Sequence, residues 1–165
     1  MTDRHDKQDK NDAVEPSFDG HEDRPITAGR SALMARIRSK NTQPEMIVRR
    51  ALHSLGKRFR VHRTDLPGSP DIVLPRHRIV VFVHGCFWHR HPGCRLSSVP
   101  KTRVNFWTEK FELNVQRDVR KAAALQALGW RVVTVWECET RHRESLILSL
   151  EGIFHEGWRL GTAGR

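Results

Sequence analysis

Much of the reactive chemistry of this chain sits in eleven consecutive residues. His84-Gly85-Cys86-Phe87-Trp88-His89-Arg90-His91-Pro92-Gly93-Cys94 places two thiols and three imidazoles in one short segment, in a protein with three cysteines in all. Zn²⁺ in structural sites takes four tetrahedral N and S ligands. Cys86, His91 and Cys94 are spaced so that a loop folding back closes them around one ion. Cys138, at the end of the apolar run 131–136, supplies the fourth ligand. All three cysteines are then used in a closed Cys₃His site with no open position, which makes the metal structural rather than catalytic. His89 is the rival for the histidine position, and His91 is the better placed of the two.

His84 and His89 are left over, and a second chemistry opens around them. An acid at the head of one hairpin strand, facing the end of the next, is the arrangement used by metal-dependent nucleases. Asp71, after Pro70, occupies that place. Its carboxylate suits a hard cation such as Mg²⁺, which prefers oxygen. An imidazole with an ordinary pKa near 6.5 can take a proton from water at neutral pH. Each residue also has a plainer use: Asp71 as a turn residue, His84 as a satisfied polar group, Glu45 as half of a helix cap.

The elements that must position these groups are legible in the pattern. Ile47, Val48, Ala51, Leu52 and Leu55 recur at helical spacing, Thr42 and Glu45 form a capping box, and Gly56 is a stop. Arg58 to His62 alternates as a strand. After the turn Leu66-Pro67-Gly68-Ser69-Pro70, the runs 71–74 and 78–83 form a hairpin through Pro75-Arg76-His77. Val104, Trp107, Phe111, Val115, Val119 and Ala122 hold a helical period across 103–128 and end at Gly129. A buried strand at 131–136 and an amphipathic helix from Arg141 to about His155 follow. The order gives a single α/β domain, a small mixed sheet flanked by helices.

Composition narrows the partners. The net charge is +10, yet residues 1–30 carry −3, so the remaining 135 residues carry +13. A polar, acidic tail at 1–30 cannot offset its own ordering entropy and reads as disordered, leaving a basic domain over 31–160. Such an excess points to a polyanion, most often nucleic acid. Met34, Arg36, Arg38 and Lys40 could follow a groove and hold phosphates, and Arg103, Arg117, Arg120 and Lys121 could line the long helix. No secretory leader or membrane-length apolar run is expected, and an odd cysteine count argues against a disulfide framework, so the chain reads as cytoplasmic.

Taken together, several strings resemble one family. Arg38-Ser39-Lys40-Asn41-Thr42, Pro44-Glu45, Leu66 to Val73, Phe82-Val83-His84-Gly85-Cys86-Phe87-Trp88-His89, Phe106-Trp107, Asn114, Arg117-Asp118, and Gly129 to Cys138 are similar to the very-short-patch repair (Vsr) DNA mismatch endonucleases. The resemblance implies a restriction-endonuclease-like fold that nicks one strand 5′ to the thymine of a T:G mismatch, as left by deaminated 5-methylcytosine. It implies Mg²⁺ held by Asp71 and the backbone carbonyl of Val83. His89 would be the general base and His84 would assist at the phosphate, with Glu45 supporting the histidine side. Zn²⁺ would sit on Cys86, His91, Cys94 and Cys138, and Phe87, Trp88 and Trp107 would wedge into the base stack. The expected partner is mismatched double-stranded DNA, bound by a monomer, with room for contacts to other mismatch-repair proteins. Two other readings stay open: a methylation-associated restriction-type endonuclease, and a zinc-containing mismatch binder without catalysis. Val83 and His84 stand where the wider nuclease superfamily has an acid and a lysine, which leaves the number of catalytic metals open.

Overall fold

A computed structural model describes residues 40–155. The acidic tail, the expected DNA-contacting residues Met34, Arg36 and Arg38, and the last ten positions lie outside the described residues. The order is α1 (Gln43–Ser54), β1 (Arg60–Val61), β2 (Ile72–Leu74), β3 (Ile79–His84), α2 (Val104–Ala127), β4 (Arg131–Trp136) and α3 (Arg143–His155). The sheet runs β1-β2-β3-β4, with the first two pairings antiparallel and β3–β4 parallel. The parallel pair requires a crossover, and the Cys/His segment and α2 form it.

Each expected element exists, with local differences. The capping box of α1 is present, and Gly56 takes φ +68° at its end, a left-handed conformation that glycine adopts without steric cost. The 58–62 strand contracts to two residues, because His62 turns to φ +49° and leaves the extended region. The hairpin forms with Ile72 opposite Val81 and Leu74 opposite Ile79, bridged by a 3₁₀ turn at Pro75–His77. The expectation of a buried strand at 131–136 is corrected: only Val135 is fully buried, since β4 is an edge of the sheet.

Side-chain alternation on β2 and β3 builds two cores. Ile72, Leu74, Ile79 and Val81 pack with Val48, Ala51 and Leu52 of α1 and Leu146 and Leu150 of α3. Val73, Val80 and Phe82 face the other way and pack with Leu66, Trp130 and Leu125 of α2. The result is three layers, with α1 and α3 on one face and α2 on the other. The apolar stripe of α2 is only partly used: Phe111 and Leu125 are buried, whereas Val115 and Val119 are exposed. Those two valines line an open cleft of about 320 Å³ between α2 and the sheet, together with His84, His89, Asp118 and Trp136. Among the described residues no helix is long and apolar enough to cross a membrane.

Candidate active site and metal centre

The last two residues of β3 sort the site between the two faces. Val83 lies on the α1 side, against the first core, and donates its backbone N–H to Asp71 Oδ2 at 2.8 Å. His84, one residue on, belongs to the α2 side, where its ring lies 5.8 Å from that of Phe82. Asp71, just ahead of β2, is thereby fixed to the end of the neighbouring strand by its own carboxylate. Burial raises its pKa; the Val83 N–H opposes this and the nearby Glu45 adds to it.

On the α2 side, His84 and His89 stack with ring centroids 3.9 Å apart and planes within 10°. His89 Nδ1 meets Asp118 Oδ2 at 2.5 Å. One turn earlier on α2, Asn114 donates its amide to the Trp88 carbonyl at 3.1 Å. Asn114 and Asp118, four apart on one helix face, grip consecutive residues of the loop. Burial, then the neighbouring His89, lower the His84 pKa to about 4, so this imidazole is neutral at pH 7. Burial works to raise the Asp118 pKa, but the hydrogen bond from His89 together with the electrostatic effect of His89, His84 and Lys121 outweighs it, and the group stays lowered and ionised. An ionised Asp118 accepting from Nδ1–H leaves Nε2 of His89 as a lone-pair acceptor, the tautomer a general base needs.

The cysteines converge as a separate group. Cys86, His91, Cys94 and Cys138 each bring a ligand atom within 4.8 Å of all the others. His91 Nδ1 lies 3.7 Å from Cys86 Sγ and 3.3 Å from Cys138 Sγ. With Zn–S near 2.3 Å and Zn–N near 2.0 Å, tetrahedral ligands sit roughly 3.5 Å apart, so the set fits such an ion. Burial pushes the Cys86 thiol up to about 12 and raises Cys138, while the Leu96 N–H lowers Cys94. In this setting the three thiols become thiolates only with a cation beside them. The loop is braced independently: Cys86 N–H donates to Glu137 at 3.3 Å and Ser97 donates to the His91 carbonyl at 2.8 Å. Trp136 lies flat on His91 at 4.3 Å and edge-on to His84 at 5.4 Å, joining the two groups. Of the two histidines open for the metal position, His91 is in the cluster and His89 is on Asp118.

The DNA mismatch endonuclease Vsr family model matches residues 22–95. A Xanthomonas oryzae pv. oryzae protein named type II nicking enzyme V.XorIIP is 55% identical over 131 residues, covering 79% of this chain and 96% of that one. The Escherichia coli K12 protein named DNA mismatch endonuclease Vsr is 49% identical over 119 residues, covering 72% and 76% respectively. A Neisseria meningitidis type II nicking enzyme, V.NmeAIP, is 42% identical over 117 residues, covering 71% and 83%. The chain belongs to the Vsr family of DNA mismatch endonucleases.

Within this Vsr-family domain the site residues expected from sequence fall into groups. His84 and His89 meet directly, but Asp71 is not brought to them: it accepts the Val83 N–H and groups with Glu45 and His62 on the α1 side. Glu45 does not join the histidine side; it lies with His62 and Asp71 on the α1 side. The reason is local, because both its carboxylate oxygens are taken by its own helix terminus and by Arg49. Phe87 and Trp88, expected as wedges, both pack in one aromatic group: Phe87 touches Trp88, Trp107 and Phe111 at ring separations of 5.0, 5.5 and 5.1 Å. Phe87, Trp88 and Trp107 all keep partial exposure. Arg103 caps this group over Phe106 at 4.7 Å.

Asp118, Arg49 and His62 were missed as site residues. Asp118 had a signal: an aspartate, a poor helix former, inside the apolar stripe between Val115 and Ala122. Arg49 had one as the i+4 partner of Glu45. His62 had none, since its approach depends on a left-handed turn at a residue other than glycine.

Proposed function

We propose that this protein nicks one strand of duplex DNA 5′ to the thymine of a T:G mismatch, using Mg²⁺ at Asp71 and a zinc-stabilised loop. The observation that carries the reading is the His89–Asp118 pair stacked on His84, one residue beyond the peptide unit that fixes Asp71. Asp71 and the Val83 carbonyl form an all-oxygen donor set suited to a hard cation. A bound Mg²⁺ supplies Lewis-acid neutralisation of the phosphate charge that builds during hydrolysis. Asp71 Oδ2 is held by the Val83 N–H, and among the described residues Oδ1 has no hydrogen-bond partner, so one oxygen is free for the ion.

His89 Nε2 takes the proton of the attacking water, Asp118 holds the ring in that tautomer, and neutral His84 contacts the phosphate. Phe87, Trp88 and Trp107 enter beside the mismatch, where unstacking costs less than in a matched step. Cys86, His91, Cys94 and Cys138 hold Zn²⁺ and set the loop that carries both wedge and base. The mixed sheet with its acid at the head of β2 accords with a restriction-endonuclease-like fold. The positive charge of the chain, to which Arg36 and Arg38 contribute, serves the DNA backbone of a monomer acting in the cytoplasm, with other mismatch-repair proteins as further partners.

Incubation with matched and T:G duplexes in Mg²⁺ tests the proposal. Single-strand cutting of the mismatch alone is expected. Double-strand cutting of the matched duplex would favour the restriction-type reading, and binding without cleavage would leave a zinc-containing binder. Against the last, a pure binder gains nothing from a carboxylate beside a phosphate.

A further inference from the structure

Among the described residues, the cleft between α2 and the sheet is lined by one arginine and one lysine, Arg90 and Lys121. Arg90 is committed to the protein: its guanidinium donates to the Ser97 and Ser98 carbonyls and covers the Phe111 ring at 4.6 Å. Lys121 is held by its stem instead. A Cβ on Gly68 would lie 2.6 Å from Lys121 Cδ and 2.7 Å from Cγ, so the stem rests directly on the backbone of the turn three residues ahead of Asp71. Gly68 also has φ +73°, so both space and conformation favour glycine there. Lys121 follows Asp118 by one helical turn, and Nζ sits 4.0 Å from Asp118 Oδ1, the oxygen that His89 leaves unused. Among the described residues this ammonium has no hydrogen-bond partner, only that longer ion-pair contact, and its side chain is 31% exposed. An ammonium carries three donors, so Lys121 has donors to spare. Without it, the ionised Asp118 would meet an incoming phosphodiester with no uncommitted cation beside it, and like charges repel.

We propose that Lys121 is a phosphate-binding residue of the nicking reaction, its ammonium donating to a non-bridging oxygen of the phosphodiester presented to His89. This rests on the assignment of His89 as the base. The flexible stem, seated on Gly68, lets the ammonium turn to the phosphate while staying in the field of Asp118. A carboxylate that orients the base can then stand next to an anionic substrate. Arg117 and Arg120 of the same helix are exposed and do not line the cleft, so they do not duplicate this contact.

The test compares the zinc-replete full chain with Lys121→Met, which keeps the stem on Gly68, and with His89→Ala, on a T:G duplex. Single-turnover nicking should fall about 10- to 150-fold in Lys121→Met, the value of a charge-assisted hydrogen bond. Duplex binding without Mg²⁺ gives readouts that a merely structural lysine would not move. The slope of log affinity against log salt should become shallower by about 0.9 in Lys121→Met, one phosphate contact fewer. Replacing the scissile phosphate alone by a neutral methylphosphonate should bring the wild-type and Lys121→Met affinities together. A smaller loss of rate in Lys121→Met beside a full loss in His89→Ala would overturn the inference while sparing the base. Slower nicking with an unchanged salt slope, or with an affinity gap that survives the methylphosphonate, would also overturn it, since Lys121 would then act only as a support for Asp118. Undiminished nicking in both variants would remove the reading of His89, and this inference with it. Should Lys121→Met fail to fold, Lys121→Gln carries the same comparison.

Discussion

Replacing Asp118 by Asn isolates the part of the site that sequence left unassigned. The 2.5 Å contact with His89 Nδ1 is a charge-assisted hydrogen bond between side chains 27% and 18% exposed. Such a bond contributes about 1.5–3 kcal/mol, equivalent to roughly a 10- to 150-fold change in rate. The amide adds a second effect, because its NH₂ can donate to Nδ1 and drive the proton to Nε2. In the serine protease triad, a loss of about 10⁴ follows the equivalent change. A drop in the single-turnover nicking rate between these bounds is therefore expected, with binding of the mismatched duplex unchanged. In a His89→Ala background the same substitution should have little further effect, since it acts through the imidazole. An Asp118→Asn rate within about threefold of wild type, or an undiminished effect without His89, would refute the reasoning.

Four further outcomes follow from the geometry. Asp71→Ala should abolish nicking but preserve duplex binding; residual cutting at the wild-type rate would remove its metal role. Cys138→Ser should lose zinc and destabilise the fold by about 3 kcal/mol, or roughly 10 °C in melting temperature, and a full equivalent of zinc in that variant would contradict this. His84 has a folded pKa of about 4 against 6.5 unfolded, so between those values the unfolded chain binds more protons and stability falls as pH drops. The loss amounts to about 3 kcal/mol, measurable as a urea midpoint that drops between pH 7 and pH 4, and His84→Phe should flatten that slope. Trp88→Ala should cut the preference for mismatched over matched duplex by roughly 5- to 150-fold, the value of one stacking contact, and unchanged preference would take the indole out of the wedge.

What the sequence disclosed depended on how local each signal was. The capping box at Thr42 and Glu45, the hairpin through Pro75, and the grouping of Cys86, His91 and Cys94 rest on short spacings and turn chemistry, whereas Cys138, 47 residues from His91, was reached by ligand count. The exposure of β4 did not follow from its Val-Val-Thr-Val run, because edge position is a property of topology rather than of pattern. Glu45 was read as serving the histidines, while its oxygens are consumed by the terminus of its own helix and by Arg49. Asp118 and His89 are 29 residues apart, and only the crossover through the Cys/His segment and α2 brings them together.

The paired grip of Asn114 and Asp118 on Trp88 and His89 has a mechanical consequence. The indole and the imidazole hang from neighbouring α-carbons, about 3.8 Å apart, and the Trp88 backbone carbonyl and the His89 ring are both tethered to α2. A push on the first, such as a base pair yielding or refusing to yield, must be felt by the second. Under the proposed function, lesion sensing and bond cutting would share a single lever arm, and a duplex that keeps the indole out would also leave the imidazole misaimed.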